Sequence, residues 1–175
     1  MNDLKKKYVL DATVFIGFDF QMLQKLKNSQ FYTTSSVFNE LKDFKSRMNF
    51  EVLQETNQIT ISHLDQVDLI SIHDKIEKID PNTLLSSSDI ELLALSQKIG
   101  ASLITNDFRL QNLAILLNVA LHTLSGKKIT KTFNWYLKCI SCGQIEKNRT
   151  DYCSNCNGKL KRMKYKSDEI KSKYP

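Results

Sequence analysis

The chain of 175 residues lacks the long hydrophobic stretches that mark membrane-spanning and secreted proteins. No apolar run approaches the roughly 20 residues that span a bilayer, and the segment most like a signal core, residues 8–20, is interrupted by Asp11. Internal repeats and low-complexity tracts are absent as well. Histidine is scarce, and His63, His73 and His122 are scattered, which indicates surface or core-edge positions. We therefore expect a soluble, cytoplasmic protein.

Cysteine is also scarce, and its few copies are concentrated in one place. The chain has four cysteines, in two C-x-x-C pairs: Cys139, Cys142, Cys153 and Cys156. A disulfide framework would need an oxidising compartment, which nothing in the sequence supports. Paired C-x-x-C spacing is typical of tetrahedral zinc sites, and Gly143 and Asn157 directly after the pairs suit the positive φ of such turns. Four protein ligands leave no open coordination position, so we predict a structural Zn²⁺.

Charge is unevenly divided along the chain. Residues 127–175 hold 13 of the 25 Lys and Arg but 4 of the 19 Asp and Glu, a net charge of +9, whereas residues 1–126 have a net charge of −3. A field of this size attracts polyanions. The lysine-rich stretch 159–166 is by itself equally typical of a solvated terminus. Beside a zinc ribbon, we favour RNA as the partner.

Candidate RNA contacts follow from this charge. The predicted phosphate contacts are Lys138, Lys147, Arg149 and Lys159. Three aromatic residues, Trp135, Tyr136 and Tyr152, are available either for base stacking or for packing in the small core of the ribbon.

A polar, basic segment around Gly126 divides the chain. We predict a first domain over residues 1–124, a linker over 125–134, a zinc ribbon over 135–162 and a basic, flexible tail over 163–175. In the first domain, strands are predicted at 8–10, 30–33, 58–63, 101–105 and 119–122. Helices are predicted at 19–28, 35–48, 65–79, 88–99 and 108–117; the fourth opens with a Ser88–Glu91 capping box and ends at Gly100. This alternation predicts an α/β domain with a central, mostly parallel sheet flanked by helices.

Acidic residues stand where such a sheet places functional sites, beyond strand ends and at helix starts. Asp11 ends the first strand, Asp107 follows the fourth, Asp89 opens a helix, and Glu40 lies in the middle of another helix, at the edge of its apolar stripe. Each has an ordinary structural explanation: a turn, a helix dipole or a surface group. Several carboxylates converging on one site would raise one another's pKa unless cations neutralised them. Convergence would therefore imply Mg²⁺ or Mn²⁺.

These residues carry a family resemblance. The order Val9-Leu-Asp11-Ala-Thr13, Thr34-Ser-Ser-Val-Phe-Asn-Glu40, Leu85-Ser-Ser-Ser-Asp89-Ile-Glu91 and Leu103-Ile-Thr-Asn-Asp107 resembles the PIN-domain nucleases across residues 7–123. The resemblance implies a metal-dependent endoribonuclease whose acidic quartet is Asp11, Glu40, Asp89 and Asp107. It implies that Asp11, Asp89 and Asp107 bind Mg²⁺ or Mn²⁺, with Thr13 and Thr105 orienting carboxylates or contacting phosphate. Glu91 is then a helix cap or an outer ligand. Expected products carry 5′-phosphate and 3′-hydroxyl ends.

The segment Asp107-Phe-Arg-Leu-Gln-Asn-Leu-Ala114, followed by a zinc ribbon, more narrowly resembles the archaeal form of the Nob family. This resemblance implies maturation of the 3′ end of small-subunit ribosomal RNA, within a pre-ribosomal particle that contains assembly factors. Two alternatives stay open. A small PIN domain is also typical of VapC-type toxin ribonucleases. Because Asn106 stands where the Nob family often has a further aspartate, a non-catalytic RNA-binding scaffold is the third hypothesis.

Overall fold

The computed structural model describes residues 5–16, 21–80, 83–124, 128–146 and 150–169. Its larger sheet has five strands in the spatial order β3-β2-β1-β4-β5, and every pairing in it is parallel. The strands are β1 (Lys6–Leu10), β2 (Ser29–Thr33), β3 (Ile59–Ile61), β4 (Ser102–Ile104) and β5 (Leu121–His122). Each strand predicted in the first domain is present, and the predicted α/β class is confirmed.

Helices connect these strands. Those that the structure describes are α1 (Ala12–Ile16), α2 (Gln21–Gln24), α3 (Ser35–Glu40), α4 (Phe44–Glu55), α5 (Gln66–Ile79), α6 (Ser87–Ile99) and α7 (Phe108–Leu116). The single helix predicted over 35–48 is wrong: Leu41 is extended, and Asp43 begins a new helix by accepting the backbone N–H of Ser46 at 2.9 Å. Of the helix predicted over 19–28, residues 21–24 are helical, and residues 19–20 lie outside the described part of the chain.

The cap of α6 also differs from the prediction. The capping box joins Ser86 and Asp89, not Ser88 and Glu91. Both pairs fit the Ser-x-x-acid pattern, but the side chains of Ser88 and Glu91 are engaged with α3, which leaves the cap to the earlier pair. The helix ends at Gly100 as predicted, with φ of 63°.

The main core lies around the central strand of the large sheet. Tyr8, Val9 and Leu10 are consecutive in β1 and all buried, which means that both faces of the sheet are covered. Among the largest fully buried side chains are Leu10, Phe50, Leu92, Leu103 and Leu110. This packing places the carboxyl ends of β1 and β4 side by side, where α1 and α7 begin.

A second, antiparallel sheet follows, in the order β7-β6-β8. It consists of β6 (Lys131–Cys139), β7 (Ile145–Glu146) and β8 (Leu160–Glu169). The strands extend past the predicted boundaries: residues 131–134 of the predicted linker belong to β6, and residues 163–169 of the predicted tail belong to β8. The reason is cross-strand pairing, which continues from Cys139 and Leu160 out to Lys131 and Glu169.

Two adjacent buried amides on α7 join this sheet to the first domain. Asn112 Nδ2 donates to the carbonyl of Phe133 at 2.8 Å, and Asn112 Oδ1 accepts the N–H of Phe133 at 2.7 Å. Gln111 Nε2 donates to the carbonyl of Thr105 at 3.0 Å, and its Oε1 accepts from the N–H of Ile129 at 3.1 Å. The segment that resembles the Nob family thus fastens the ribbon to the end of β4.

None of the described helices combines the length and apolar character needed to cross a membrane.

Candidate active site and metal centre

Asp11 lies at the carboxyl end of β1 and is almost completely buried. Its Oδ1 accepts the backbone N–H of Ala12 at 2.7 Å, and its Oδ2 accepts the hydroxyls of Thr13 and Thr105, each at 2.7 Å. Both threonines that the sequence placed near the site therefore orient the same carboxylate oxygen. These bonds fix the carboxylate at the edge where β1 and β4 end.

Burial raises the pKa of the Asp11 carboxyl above its ordinary value. The hydrogen bonds from Thr13, Thr105 and Ala12 lower this pKa, while the negative charge of Asp89 raises it further. Two of the predicted site acids, Asp11 and Asp89, are therefore close enough for their negative charges to repel each other. A bound cation would offset this repulsion, and carboxylate oxygens are the ligands that Mg²⁺ and Mn²⁺ prefer.

Two serine–glutamate pairs connect α3 with α6 near this edge. Ser88 Oγ donates to the Glu40 carboxylate, and Ser36 Oγ donates to the Glu91 carboxylate, both in short hydrogen bonds. Each glutamate is thus held by a serine of the other helix. Asp89 has a local role too, since its Oδ2 accepts the backbone N–H of Ser86 at 3.1 Å.

Asp107 is connected to Asp11 through one hydroxyl. The Thr105 Oγ1 that donates to Asp11 also accepts the backbone N–H of Asp107 at 2.9 Å. The Asp107 carboxylate caps α7 through the N–H of Arg109 at 2.7 Å and lies 3.3 Å from the Arg109 guanidinium. The N–H of Asn106 donates to Thr13 Oγ1 at 3.0 Å, which completes the link between the two loops.

The predicted acids share one edge of the sheet but are not in contact as a set. Among the described residues, two groups have three or more metal-ligand atoms all within 4.8 Å of one another: the four cysteines, and the exposed His73, Asp74 and Glu77 of α5. The acidic quartet does not form such a group. Its role as a metal-binding set therefore remains a prediction that rests on the resemblance.

The four cysteines come together as predicted. The sulfur atoms of Cys139 and Cys156 are 3.5 Å apart, and those of Cys142 and Cys153 are 3.6 Å apart. Zn–S bonds of about 2.3 Å in a tetrahedron place sulfur atoms about 3.8 Å apart, so the spacing suits zinc. Gly143 and Asn157 have φ of 78° and 55°, as their positions after each pair predicted.

Local packing around the sulfurs also fits an ion. The backbone N–H groups of Cys142 and Ser141 point at the Cys139 sulfur, at 3.5 and 3.4 Å, and together with the thiols of Cys156 and Cys142 they lower the pKa of Cys139 to about 6. A Cβ on Gly158 would lie 3.0 Å from the Cys139 sulfur and 3.1 Å from the Cys156 sulfur. Glycine here lets the chain approach the thiolates closely, which is what a small, closed metal site requires.

Two of the four predicted phosphate contacts fall within the described residues. Lys138 and Lys159 are exposed on the ribbon, while Lys147 and Arg149 lie outside the described residues. Tyr152 is 56% exposed. Trp135 and Tyr136 are partly buried, and the Arg162 guanidinium lies 4.4 Å above the Trp135 ring. Trp135 thus packs against Arg162 and also remains partly exposed, so both of the roles predicted for it stay open.

Several residues near the site had no role there predicted from the sequence. Ser36 and Ser88, which hold the two glutamates, stand in short serine runs, and Ser88 was predicted as a helix cap only. Arg109 contacts Asp107 two residues earlier, so its signal is local: a basic residue in the first turn of a helix that an aspartate caps. The ion pair between Arg162 and Asp80, at 3.7 Å, has no local signal because it joins distant segments.

Comparisons with known proteins agree with this architecture. A family model described as the PIN domain of ribonuclease matches residues 8–99. The chain is 31% identical to the endoribonuclease Nob1 of Pyrococcus abyssi over 90% of this chain and 94% of that protein. It is 27% identical to the ribonuclease VapC1 of Thermoplasma acidophilum over 89% of this chain and 77% of that protein. It is also 30% identical to the 20S-pre-rRNA D-site endonuclease NOB1 of Saccharomyces cerevisiae, over 59% of this chain and 22% of that protein.

A solved structure shares the fold. The crystal structure of VapBC2 from Rickettsia felis, bound to a DNA fragment from its promoter, matches 67% of this chain and 98% of its own chain, with a TM-score of 0.51 and 18% identity. The parallel sheet, the matched family model and the near full-length relative agree. The chain belongs to the PIN-domain ribonucleases and, among them, to the Nob1 endoribonucleases.

Proposed function

We propose that this endoribonuclease matures the 3′ end of small-subunit ribosomal RNA in the cytoplasm, in a reaction that depends on a divalent metal ion. The observation that carries the proposal is the extent of the Pyrococcus Nob1 match, which covers nine-tenths of both chains and so includes the zinc ribbon. The yeast relative, whose name specifies a 20S-pre-rRNA site, supports ribosomal RNA as the substrate class. Its partners would be the pre-ribosomal small subunit and its assembly factors.

In the proposed centre, Asp11, Asp89 and Asp107 would hold Mg²⁺ or Mn²⁺, and Glu40 would complete the site. The chemistry that such an ion would supply is activation of water for in-line attack on a phosphodiester and stabilisation of charge on the leaving oxygen. Thr13 and Thr105 keep the Asp11 carboxylate oriented, and the shared Thr105 hydroxyl keeps Asp107 in register with it. The Ser88 hydroxyl restrains Glu40 in the same way.

The ribbon is proposed to bind RNA. Lys138 and Lys161 are exposed and lie directly opposite each other on β6 and β8. Like charges at directly opposed positions destabilise a sheet, and a polyanion that neutralises both would remove that cost. The same surface carries Lys159, so its charge favours a phosphate backbone over a neutral partner.

A VapC-type toxin ribonuclease is the second candidate, and the match to Thermoplasma VapC1 favours it. Both candidates use the same acids, so substrate choice separates them. A maturation enzyme cuts one ribosomal junction, whereas a toxin cuts other cellular RNAs. The scaffold hypothesis differs from both because it requires binding without cleavage.

The experiment is incubation of the purified protein with an RNA that spans the 3′ end of small-subunit ribosomal RNA, with Mn²⁺ or with EDTA. Asp11→Asn is the test variant, and Glu51→Gln, which alters an exposed acid on α4, is the control. We expect one metal-dependent cut that Asp11→Asn abolishes and Glu51→Gln retains. Equal cutting of unrelated RNAs would favour the toxin, and binding with no cut by the wild-type protein would favour the scaffold.

A further inference from the structure

A cavity of about 160 Å³ lies where the first domain meets the ribbon. Its walls include Phe108 and Arg109 at the start of α7, Phe133 and Trp135 on β6, Arg162 on β8, and Asp80 after α5. The Asn112–Phe133 hydrogen bonds hold these walls together, because Asn112 and Phe133 both line the cavity. The cavity therefore exists because the ribbon docks on the first domain, and both parts of the chain contribute to its walls.

The cavity adjoins the proposed catalytic centre. Arg109 lines the cavity, and its guanidinium lies 3.3 Å from the Asp107 carboxylate. Phe108, the next residue after Asp107, also lines the cavity and is 55% exposed. Anything bound in the cavity would lie next to Asp107.

The chemistry of the lining suits a flat, aromatic ligand with polar edges. The Arg162 guanidinium lies 4.4 Å above the Trp135 ring, which gives the cavity a planar cation beside the rings of Trp135, Phe133 and Phe108. Within the described part of the chain, the buried Arg162 Nε has no hydrogen-bond partner. Proteins bind unpaired nucleobases by stacking them on aromatic rings and guanidinium planes, with hydrogen bonds to the base edges.

We infer that this cavity is a nucleobase site, which accepts an unpaired base of single-stranded RNA next to the cleaved phosphodiester bond. The inference rests on the proposed function, since it takes RNA as the ligand. The base stacks on Phe108 and Trp135, and its flanking phosphate continues toward the Asp107 edge of the sheet. Because duplex bases are not free to enter such a hollow, the site selects a single-stranded junction.

Trp135 allows a direct test, because it is the single tryptophan of the chain. Zinc-loaded, full-length protein is titrated, with no Mg²⁺ or Mn²⁺ added, with the RNA spanning the 3′ end of small-subunit ribosomal RNA. A second series of RNAs carries one abasic nucleotide each. We expect the intact RNA to change the fluorescence of Trp135, and one abasic position to remove that change and to weaken binding by about tenfold.

Variants of Phe108 identify the cavity as the place of binding. Phe108→Ala is expected to bind the intact RNA about tenfold more weakly and to become insensitive to that abasic position. Phe108→Tyr keeps the aromatic face and should bind as the wild type does. Phe44→Ala is the matched control, because Phe44 is an exposed phenylalanine on α4, at 82% exposure, that is not among the cavity residues.

The outcomes separate this inference from the proposed function. If no abasic position and no Phe108 variant alters affinity or Trp135 fluorescence, while added Mn²⁺ still gives the specific cut, the nucleobase site is overturned and the maturation function stands. If the wild-type protein binds no RNA, both are overturned. If Phe44→Ala weakened RNA binding as much as Phe108→Ala, the nucleobase site would also be overturned.

Discussion

The side-chain amide of Asn112 pairs with both backbone polar groups of Phe133, donating to its carbonyl at 2.8 Å and accepting from its N–H at 2.7 Å. A side chain of α7 thus takes the place of a neighbouring strand at this point of β6. The arrangement fixes the ribbon relative to Asp107, which caps the same helix. The proposed catalytic centre and the proposed RNA-binding surface are therefore connected through one short helix.

This pairing predicts the effect of Asn112→Asp. The carboxylate has the shape of the amide but cannot donate, so the Phe133 carbonyl would lose its partner and face a negative charge. We expect the ribbon's docking to lose about 1–3 kcal/mol of stability, and this loss should appear as faster hydrogen exchange of the backbone amides in β6. Asn57→Asp, at an exposed position, should leave exchange in β6 unchanged. Unaltered protection in Asn112→Asp would show that the docking does not depend on this amide.

Gly158→Ala should abolish zinc binding. The added Cβ would lie 2.8 Å from Ser141 Oγ and 3.0 Å from the Cys139 sulfur, so the thiolates would have to move apart. Gly100→Ala is the matched control: it strains a residue with φ of 63° but meets no atom within 4 Å. That control should lower stability by about 1–2 kcal/mol while retaining full zinc. Metal analysis of both purified variants checks the prediction, and a full complement of zinc in Gly158→Ala would contradict it.

The two serine–glutamate pairs should respond differently to the same change. Glutamine can still accept a hydrogen bond from serine, so Glu40→Gln and Glu91→Gln should both fold with α3 and α6 joined. If Glu40 completes the metal site, its variant should lose about 10- to 100-fold in metal-dependent cleavage. We expect a much smaller loss for Glu91→Gln. Initial rates at several Mn²⁺ concentrations measure the difference, and equal losses would mean that Glu91 shares the role of Glu40.

Asp43 predicts a pH-dependent contribution to stability. The Ser46 hydroxyl and N–H bond its carboxylate and lower its pKa below the ordinary value of 3.8. A lowered pKa in the folded state stabilises the protein above pH 3.8, and this contribution is lost as the pH falls through the folded-state pKa.

Asp43→Ala should therefore have a lower Tm than the wild type at pH 7, and this difference in Tm should become smaller below pH 3.8. Asp43→Asn keeps an acceptor for the Ser46 N–H but has no titrating group. The difference in Tm between Asp43→Asn and Asp43→Ala should therefore stay constant across this pH range. Thermal unfolding of the three proteins at matched pH values checks both statements. A gap between wild type and Asp43→Ala that does not change with pH would contradict the assignment.

Local signals in the sequence were sufficient for much of the fold. The alternation of apolar segments predicted the five parallel strands, and Gly100, Gly143 and Asn157 predicted the turns that need positive φ. The C-x-x-C spacing predicted that the four sulfurs would meet. These predictions succeed because each depends on residues within a few positions of one another, where backbone preference and spacing decide the outcome.

The predictions of the α6 cap and of the helix over 35–48 were wrong because the local sequence fitted more than one arrangement. Ser86-x-x-Asp89 and Ser88-x-x-Glu91 both fit a capping box, and the choice was made by hydrogen bonds to α3. The single helix predicted over 35–48 had a continuous apolar stripe, yet Leu41 turns inward to full burial and Asp43 starts a new helix. Contacts with the distant α3 decided the first case, and burial of Leu41 together with the Asp43 cap on Ser46 decided the second.

Most of the elements, the cluster of four cysteines and the acids at the strand ends could be read from the sequence, because they follow from periodicity, spacing and residue chemistry. The three-dimensional packing was needed to show that Thr13 and Thr105 hold one oxygen of Asp11, that Asn112 pairs with Phe133, and that Phe108, Trp135 and Arg162 line one cavity. Such relationships join residues that are far apart in the chain, and no local preference specifies them. They arise when burial of the shared core brings the strand ends and the ribbon together.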